Sequence, residues 1–145
     1  MPENKAINKQ KQEQMQKKYQ EYQIIDQQMK QMQQQLEKFD QQVQELSSIN
    51  YSLEELKQVK ENTEILVPMS SGIFVKAEIK DTKELLINVG ANVTVEKSID
   101  ETKQLIAVQQ QEILQYRVRL MEQMQLLVNH AAGIEKELTD MASNN

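Results

Sequence analysis

The stretch ILVPMSSGIFVKAEIKDTKELLINVGANVTVEKS, residues 65–98, decides the fold of this 145-residue chain. It carries a period of two. Ile73, Val75, Ala77 and Ile79 alternate with Phe74, Lys76, Glu78 and Lys80; Leu85, Ile87 and Val89 continue the pattern, and Val93 and Val95 repeat it. Alternation of this kind puts one set of side chains on one face of a strand. Ser70-Ser71-Gly72 and Gly90-Ala91-Asn92 supply turn chemistry, with Gly and Asn available for φ > 0. The reading is four short strands at about 65–69, 73–80, 85–89 and 93–97, arranged as two hairpins joined by Asp81-Thr82-Lys83. Pro68 cannot donate to a ladder, so its strand lies at an edge or is near its end there.

On either side of this block the period changes. From residue 15 one column reads Met15, Tyr22, Met29, Leu36, Val43 and a second reads Ile25, Met32, Phe39, Leu46, Leu53. These are the a and d positions of five heptads, the seam of a coiled coil. No proline lies between Pro2 and Pro68, so one helix of roughly 80 Å can run from about residue 8 to 60. Asn50 falls at an a position, either setting the register or marking a local kink. The second arm opens on a capping box, Ser98 with Glu101, and Asp100 complements the helix dipole. Ile99, Ile106, Ile113, Leu120, Leu127, Ile134 and Met141 then recur every seven residues. The second column reads Thr102, Gln109, Tyr116, then shifts by one to Met124, Ala131, Leu138.

Composition agrees with long, thin helices. Apolar residues make up 39%, too many for a disordered chain, while aromatics are only 4% with no Trp, too few for a well-filled globular core. Residues 1–50 hold fifteen glutamines and no glycine, the marks of a solvated helix face. The net charge of -5 argues against general nucleic-acid affinity. No apolar run approaches a membrane span and residues 1–20 are too polar for a signal peptide. Without a secretory signal, the triplets Asn50-Tyr51-Ser52 and Asn92-Val93-Thr94 read as accidental matches to the glycosylation pattern. The absence of cysteine fits a reducing, cytoplasmic setting.

Neither arm can cover its own stripe, so the arms fold back on each other antiparallel. If residues 60 and 98 lie level, Met141 falls near residue 17 and residues 1–14 overhang or fray. The block between the arms is far longer than a helix reversal needs. Its hairpins expose an apolar face and open edges, which seek another chain. The residues expected to drive oligomerisation are Val67, Ile73, Val75, Ala77, Ile79, Leu85, Ile87, Val89, Val93 and Val95. The expected fold is α+β: a long antiparallel two-helix coiled coil with two central β-hairpins that join an oligomeric β-barrel. It forms a single domain, 1–145, with an N-terminal arm at 1–62, hairpins at 65–97, a C-terminal arm at 98–141 and a tail at 142–145.

Helical arm, two hairpins, helical arm resembles prefoldin, also called GimC, and its archaeal-like alpha-type subunit in particular, since beta-type subunits carry one hairpin. The most similar residues are ILVP at 65–68, FVKAEIKD at 74–81 and INVGANVTVEKS at 87–98. The resemblance implies a hexamer of two alpha-type and four beta-type subunits that holds non-native polypeptides without ATP and passes them to a group II chaperonin, using no cofactor, nucleic acid or membrane. Family members grip clients at the arm ends, which here means Met15, Tyr19, Tyr22, Ile134, Leu138 and Met141. Flexible thioethers suit promiscuous apolar contact, although packing of the coil's own end is the competing reading of the same residues. Burial at Met15, Ile134, Leu138 and Met141, where the shorter arm ends, is expected to be partial, whereas Leu36, Phe39, Leu120 and Leu127 lie well inside the coil, where both arms cover them.

An enzyme is not expected. The chain has one His, His130, which reads as a helix-surface residue. Its three glycines, Gly72, Gly90 and Gly133, are too scattered for a phosphate loop. The alternative class is a coiled-coil scaffold or adaptor that binds no client. It would need the arms and an oligomerising block but no specific resemblance.

Overall fold

The computed structural model describes residues 2–143; the first residue of the expected N-terminal arm and the last two of the expected tail lie outside that range. Helix α1 spans Pro2–Leu56 and helix α2 spans Ile99–Ser143. Between them lie β1 (Glu64–Ser70), β2 (Ile73–Glu78), β3 (Glu84–Asn88) and β4 (Thr94–Ser98). The α+β class with two long helices and two antiparallel hairpins is the one that the periodicity indicates. The chain divides into two compact units, one of residues 1–40 with 114–145, the other of residues 41–113.

In the first unit the two helical segments run antiparallel. Lys18 pairs with Glu137, His130 Nε2 stands 3.1 Å from Glu21 Oε1, and Arg117 Nε donates to Asp40 Oδ1 at 2.8 Å. By the Lys18–Glu137 pair Met141 lies level with about residue 14, within a turn of the expected residue 17. Residues 2–14 are helical, so of the two expectations for this segment, overhang or fraying, they do not fray; Pro2 stands in the first turn, where its missing N–H is no loss. The core consists of Ile25, Ala131 and Ile134, flanked by Tyr22, Met29, Leu127 and Leu138. Leu120 is also buried, whereas Leu36, Phe39 and Leu127 are only half-buried. Two helices bury a stripe on one side alone, so complete burial is the exception.

In the second unit α1 runs unbroken through Asn50 and ends at Leu56, before the expected residue 60. Turn bonds from Gln58 N–H to the Glu55 carbonyl and from Val59 N–H to the Leu56 carbonyl follow. Asn62 then takes φ 65°, a left-handed conformation that Asn tolerates. Strand β4 passes into α2 with no linker. Ser98 caps the helix by accepting the Glu101 N–H on its Oγ at 3.1 Å. The Glu101 carboxylate accepts from the Ser98 hydroxyl, not from the Ser98 backbone as in the usual capping box.

The second seam column of α2 is more regular than the apolar pattern implies. Gln109 and Tyr116 are exposed, and the half-buried positions are Gln110 and Arg117. With Met124, Ala131 and Leu138 these form an unshifted seven-residue column. Its polar members reach partners on α1: Gln110 bonds the Ser47 hydroxyl and Arg117 bonds Asp40.

Candidate client-binding end and assembly hairpins

Strands β1 and β2 pair antiparallel, with Ile65 opposite Ala77 and Val67 opposite Val75. The register slips between Pro68 and Ser70, leaving Met69 as a bulge. Strands β3 and β4 pair with Leu85 opposite Lys97 and Ile87 opposite Val95. Each hairpin is its own two-stranded sheet; no strand of one pairs with a strand of the other. Gly72 (φ 78°) and Gly90 (φ 116°) occupy the turn positions that need positive φ, joined by Asn92 (φ 60°) and, less expectedly, Ala91 (φ 49°).

Residues directly opposite in a ladder share a face. The first hairpin therefore gathers Val67, Ile73, Val75 and Ala77 on one face, and the second gathers Leu85, Ile87 and Val95 on one of its own. Val67, Ile73 and Val75 are exposed in the single chain; Ala77, Leu85, Ile87 and Val95 are half-buried. Three residues expected on these strand faces lie elsewhere. Ile79 follows the end of β2, its N–H bonded to the Thr63 carbonyl and its carbonyl accepting from the Asn62 N–H. Val89 and Val93 stand in the loop of the second hairpin, where Val89 N–H bonds the Val93 carbonyl and Val93 N–H the Gly90 carbonyl. The loop closes this way because Asn88 Oδ1 accepts the Gly90 N–H at 2.9 Å, which ends the strand early.

The opposite faces are also apolar in part. Leu66 (60% exposed), Phe74 and Leu86 (74% exposed) point there, and alternation alone did not single them out. The continuous run Ile65-Leu66-Val67 was the available signal, since a strand covered on both faces reads as an uninterrupted apolar stretch.

The second hairpin also holds a like-charge contact. Glu84 lies diagonally across from Glu96 on one face, and their carboxyls share a hydrogen bond. That bond and the neighbouring negative charge push the Glu84 carboxyl above its ordinary range. Beside it, at the root of α2, Lys57 bridges Asp100 at 2.6 Å and Glu54 at 3.5 Å, while Lys103 also reaches Glu54. The bond from Lys103 holds Glu54 below the usual carboxylate range, and the bond from Lys57 does the same for Asp100.

At the other unit's coil end, Tyr19 is 56% exposed, and Met15, Tyr22, Leu138 and Met141 are half-buried. Ile134 differs from expectation: it is 3% exposed and sits in the core with Ile25. The shorter arm ends too far beyond it to leave it uncovered. An open groove of about 560 Å³ also lies between the helices here, with Met32, Leu120 and Leu127 for a floor and Gln28, Gln31 and Gln35 along one wall. No helix among the described residues is long and apolar enough to cross a membrane.

Two long helices and a pair of hairpins whose apolar faces are uncovered in the single chain define a coiled-coil protein of the α+β class. The chain belongs to the prefoldin family: the model for the prefoldin subunit matches residues 25–143. No curated protein matches the chain. Among solved structures it is similar to a filamentous PFD from Methanocaldococcus jannaschii, determined by cryo-EM. That match has a TM-score of 0.70 and 21% identity, and covers 81% of this chain and 95% of the other. Prefoldin is a chaperone family whose subunits assemble into oligomers, so family and fold together point to a chaperone subunit.

Proposed function

We propose that this chain is an alpha-type, archaeal-like prefoldin subunit that holds non-native polypeptides without ATP and passes them to a group II chaperonin in the cytoplasm. Residues 1–145 act as a single prefoldin-like domain, two copies joining four beta-type subunits through a β-barrel. The observation that carries the alpha-type reading is the presence of two hairpins, β1–β2 and β3–β4, in one chain. Their exposed apolar faces support assembly, because an isolated two-stranded hairpin is marginal in water.

Client contact belongs to the coil end. Tyr19, Met15, Tyr22, Leu138 and Met141 offer flexible or partly covered apolar surface that can repack around varied sequences. Ile134 acts there as support, holding α2 against Ile25. The test is co-expression with a beta-type subunit, followed by mass measurement and dilution of a denatured test protein into the purified assembly. A particle of two alpha and four beta chains that suppresses aggregation without ATP is the expected result. A particle of that mass that leaves aggregation unchanged would instead identify a scaffold.

A further inference from the structure

We infer that Lys5 and Lys9, on the first turns of α1, receive acidic segments of the non-native polypeptide held at the coil end. The inference rests on the client-holding reading above and names the class of segment that this subunit selects.

The charge of the chain is unevenly placed. Residues 2–20 hold five lysines against Glu3 and Glu13, a side-chain charge of +3. The whole chain carries -5, so the remainder carries -8. Positive charge gathered in this way attracts an anionic partner.

The geometry isolates two of these lysines. By the Lys18–Glu137 pair, Ser143 is level with about residue 12, so α1 continues past the described part of α2 and residues 2–11 are not covered by it. Lys5 and Lys9 are exposed and form no ion pair among the described residues. They stand four residues apart on one side of the helix, where like charges repel. Glu3 is two residues from Lys5 and does not face it. Glu13 is one turn beyond Lys9 and forms no ion pair with it. Asp140, the last acid of α2, is level with about residue 15. That is roughly 15 Å along the axis from Lys5, beyond the screening length of about 8 Å at physiological salt. The chain's own acids thus leave the lysine pair unrelieved, and a carboxylate-bearing segment relieves it.

Side-chain chemistry selects the partner. A membrane surface needs an apolar stripe, and Ala6 and Ile7 are the only apolar side chains between residues 3 and 14. Nucleic-acid bases are held by stacking on aromatic or arginine side chains, and residues 2–18 contain neither. An acidic polypeptide requires only the lysines. Met15 and Tyr19 lie on the same helix within three turns of Lys9, so one extended chain can rest apolar residues there and acidic residues on the lysine pair.

The test compares wild type with the double variant Lys5→Glu, Lys9→Glu, each assembled with a beta-type subunit. Glutamate near the start of a helix suits its dipole, so the segment stays helical, which circular dichroism checks. The probes are two chemically denatured test proteins of similar size, one acidic and one basic. At low salt the variant should capture the acidic protein more slowly, by up to about tenfold, and the basic protein no more slowly than wild type does. The difference should vanish at about 0.5 M salt. Unchanged capture of the acidic protein, or equal loss for both proteins, overturns the inference and leaves the client-holding reading intact. Single-stranded RNA that binds wild type and not the variant, with acidic-protein capture unchanged, would assign the lysines to nucleic acid and overturn it too. A wild-type assembly that captures neither test protein overturns both readings.

Discussion

Gln110 of α2 donates from Nε2 to the Ser47 hydroxyl of α1 at 2.8 Å, and a longer bond of 3.3 Å runs to the Val43 carbonyl. One heptad beyond Val43, Asn50 has no such arrangement: its Oδ1 is buried and unpartnered. A buried polar atom left unsatisfied costs about 1–3 kcal/mol. Asn50→Leu is therefore expected to stabilise the chain by about 1–2 kcal/mol, seen as a higher urea midpoint by circular dichroism. A midpoint that stays put or drops would mean that Asn50 is satisfied in solution.

Ile134 and Ile25 are the least exposed of the buried core residues, and they share one cluster. Ile134→Ala should cost about 2–5 kcal/mol. Met141→Ala, at a half-buried site two turns on, should cost about 1 kcal/mol. Thermal unfolding of the two variants side by side decides the matter. Equal losses would mean that the coil end is packed as tightly as its core, leaving little loose apolar surface for clients.

The heptads made both helices legible, and the alternation Ile73, Val75, Ala77 made the hairpins so, because each period follows directly from backbone geometry. The polar half of the α2 seam was hidden. An apolar scan passes over Gln110 and Arg117 in favour of Tyr116, since only the cross-helix partners Ser47 and Asp40 make those polar side chains suitable there. Val89 and Val93 look like strand residues by composition. They lie in a loop because one local bond, Asn88 Oδ1 to Gly90 N–H, ends β3 before them. At the coil end, depth depends on how far α2 continues beyond a given residue, so Ile134 and Met141 look alike in sequence and differ in burial.

Val75→Asp and Ile87→Asp put a charge on the hairpin faces proposed to be covered in the assembly. Val75 is exposed in the single chain, so its replacement should cost the monomer little. In an interface, however, the buried carboxylate is unfavourable by several kcal/mol. Loss of the assembly with helicity kept is expected for both, measured by light-scattering mass and circular dichroism. An intact oligomer in both variants would remove these faces from the interface.

Acid should act in opposite directions on two parts of the second unit. Lys103 depresses Glu54 and Lys57 depresses Asp100. Those contributions are present above the ordinary carboxylate values of 4.5 and 3.8 and are lost as pH falls through the depressed ones. Glu84 is raised by Glu96, so its repulsion weakens the fold at neutral pH and is relieved as pH falls through its raised value. Glu84→Gln should thus be more stable than the wild type at pH 7, with the gap closing in mild acid. Glu54→Gln should be less stable at pH 7, its gap closing only at lower pH. Urea titrations across pH, at concentrations where the chain is monomeric, give both curves. A Glu84→Gln gap that does not change with pH would dissociate Glu84 from Glu96.

The central claim is that the assembled chain holds non-native polypeptides at its coil end, by contact alone. The direct measurement is light scattering from a chemically denatured test protein diluted into the purified assembly. Three samples are compared: wild type, wild type with ATP, and an assembly in which this chain carries Tyr19→Ser, Leu138→Ser and Met141→Ser. Suppressed scattering in the first two, unaffected by ATP, and partial loss of suppression in the third at unchanged assembly mass is the predicted result. Suppression that requires ATP, or that survives undiminished in the substituted assembly, would contradict it.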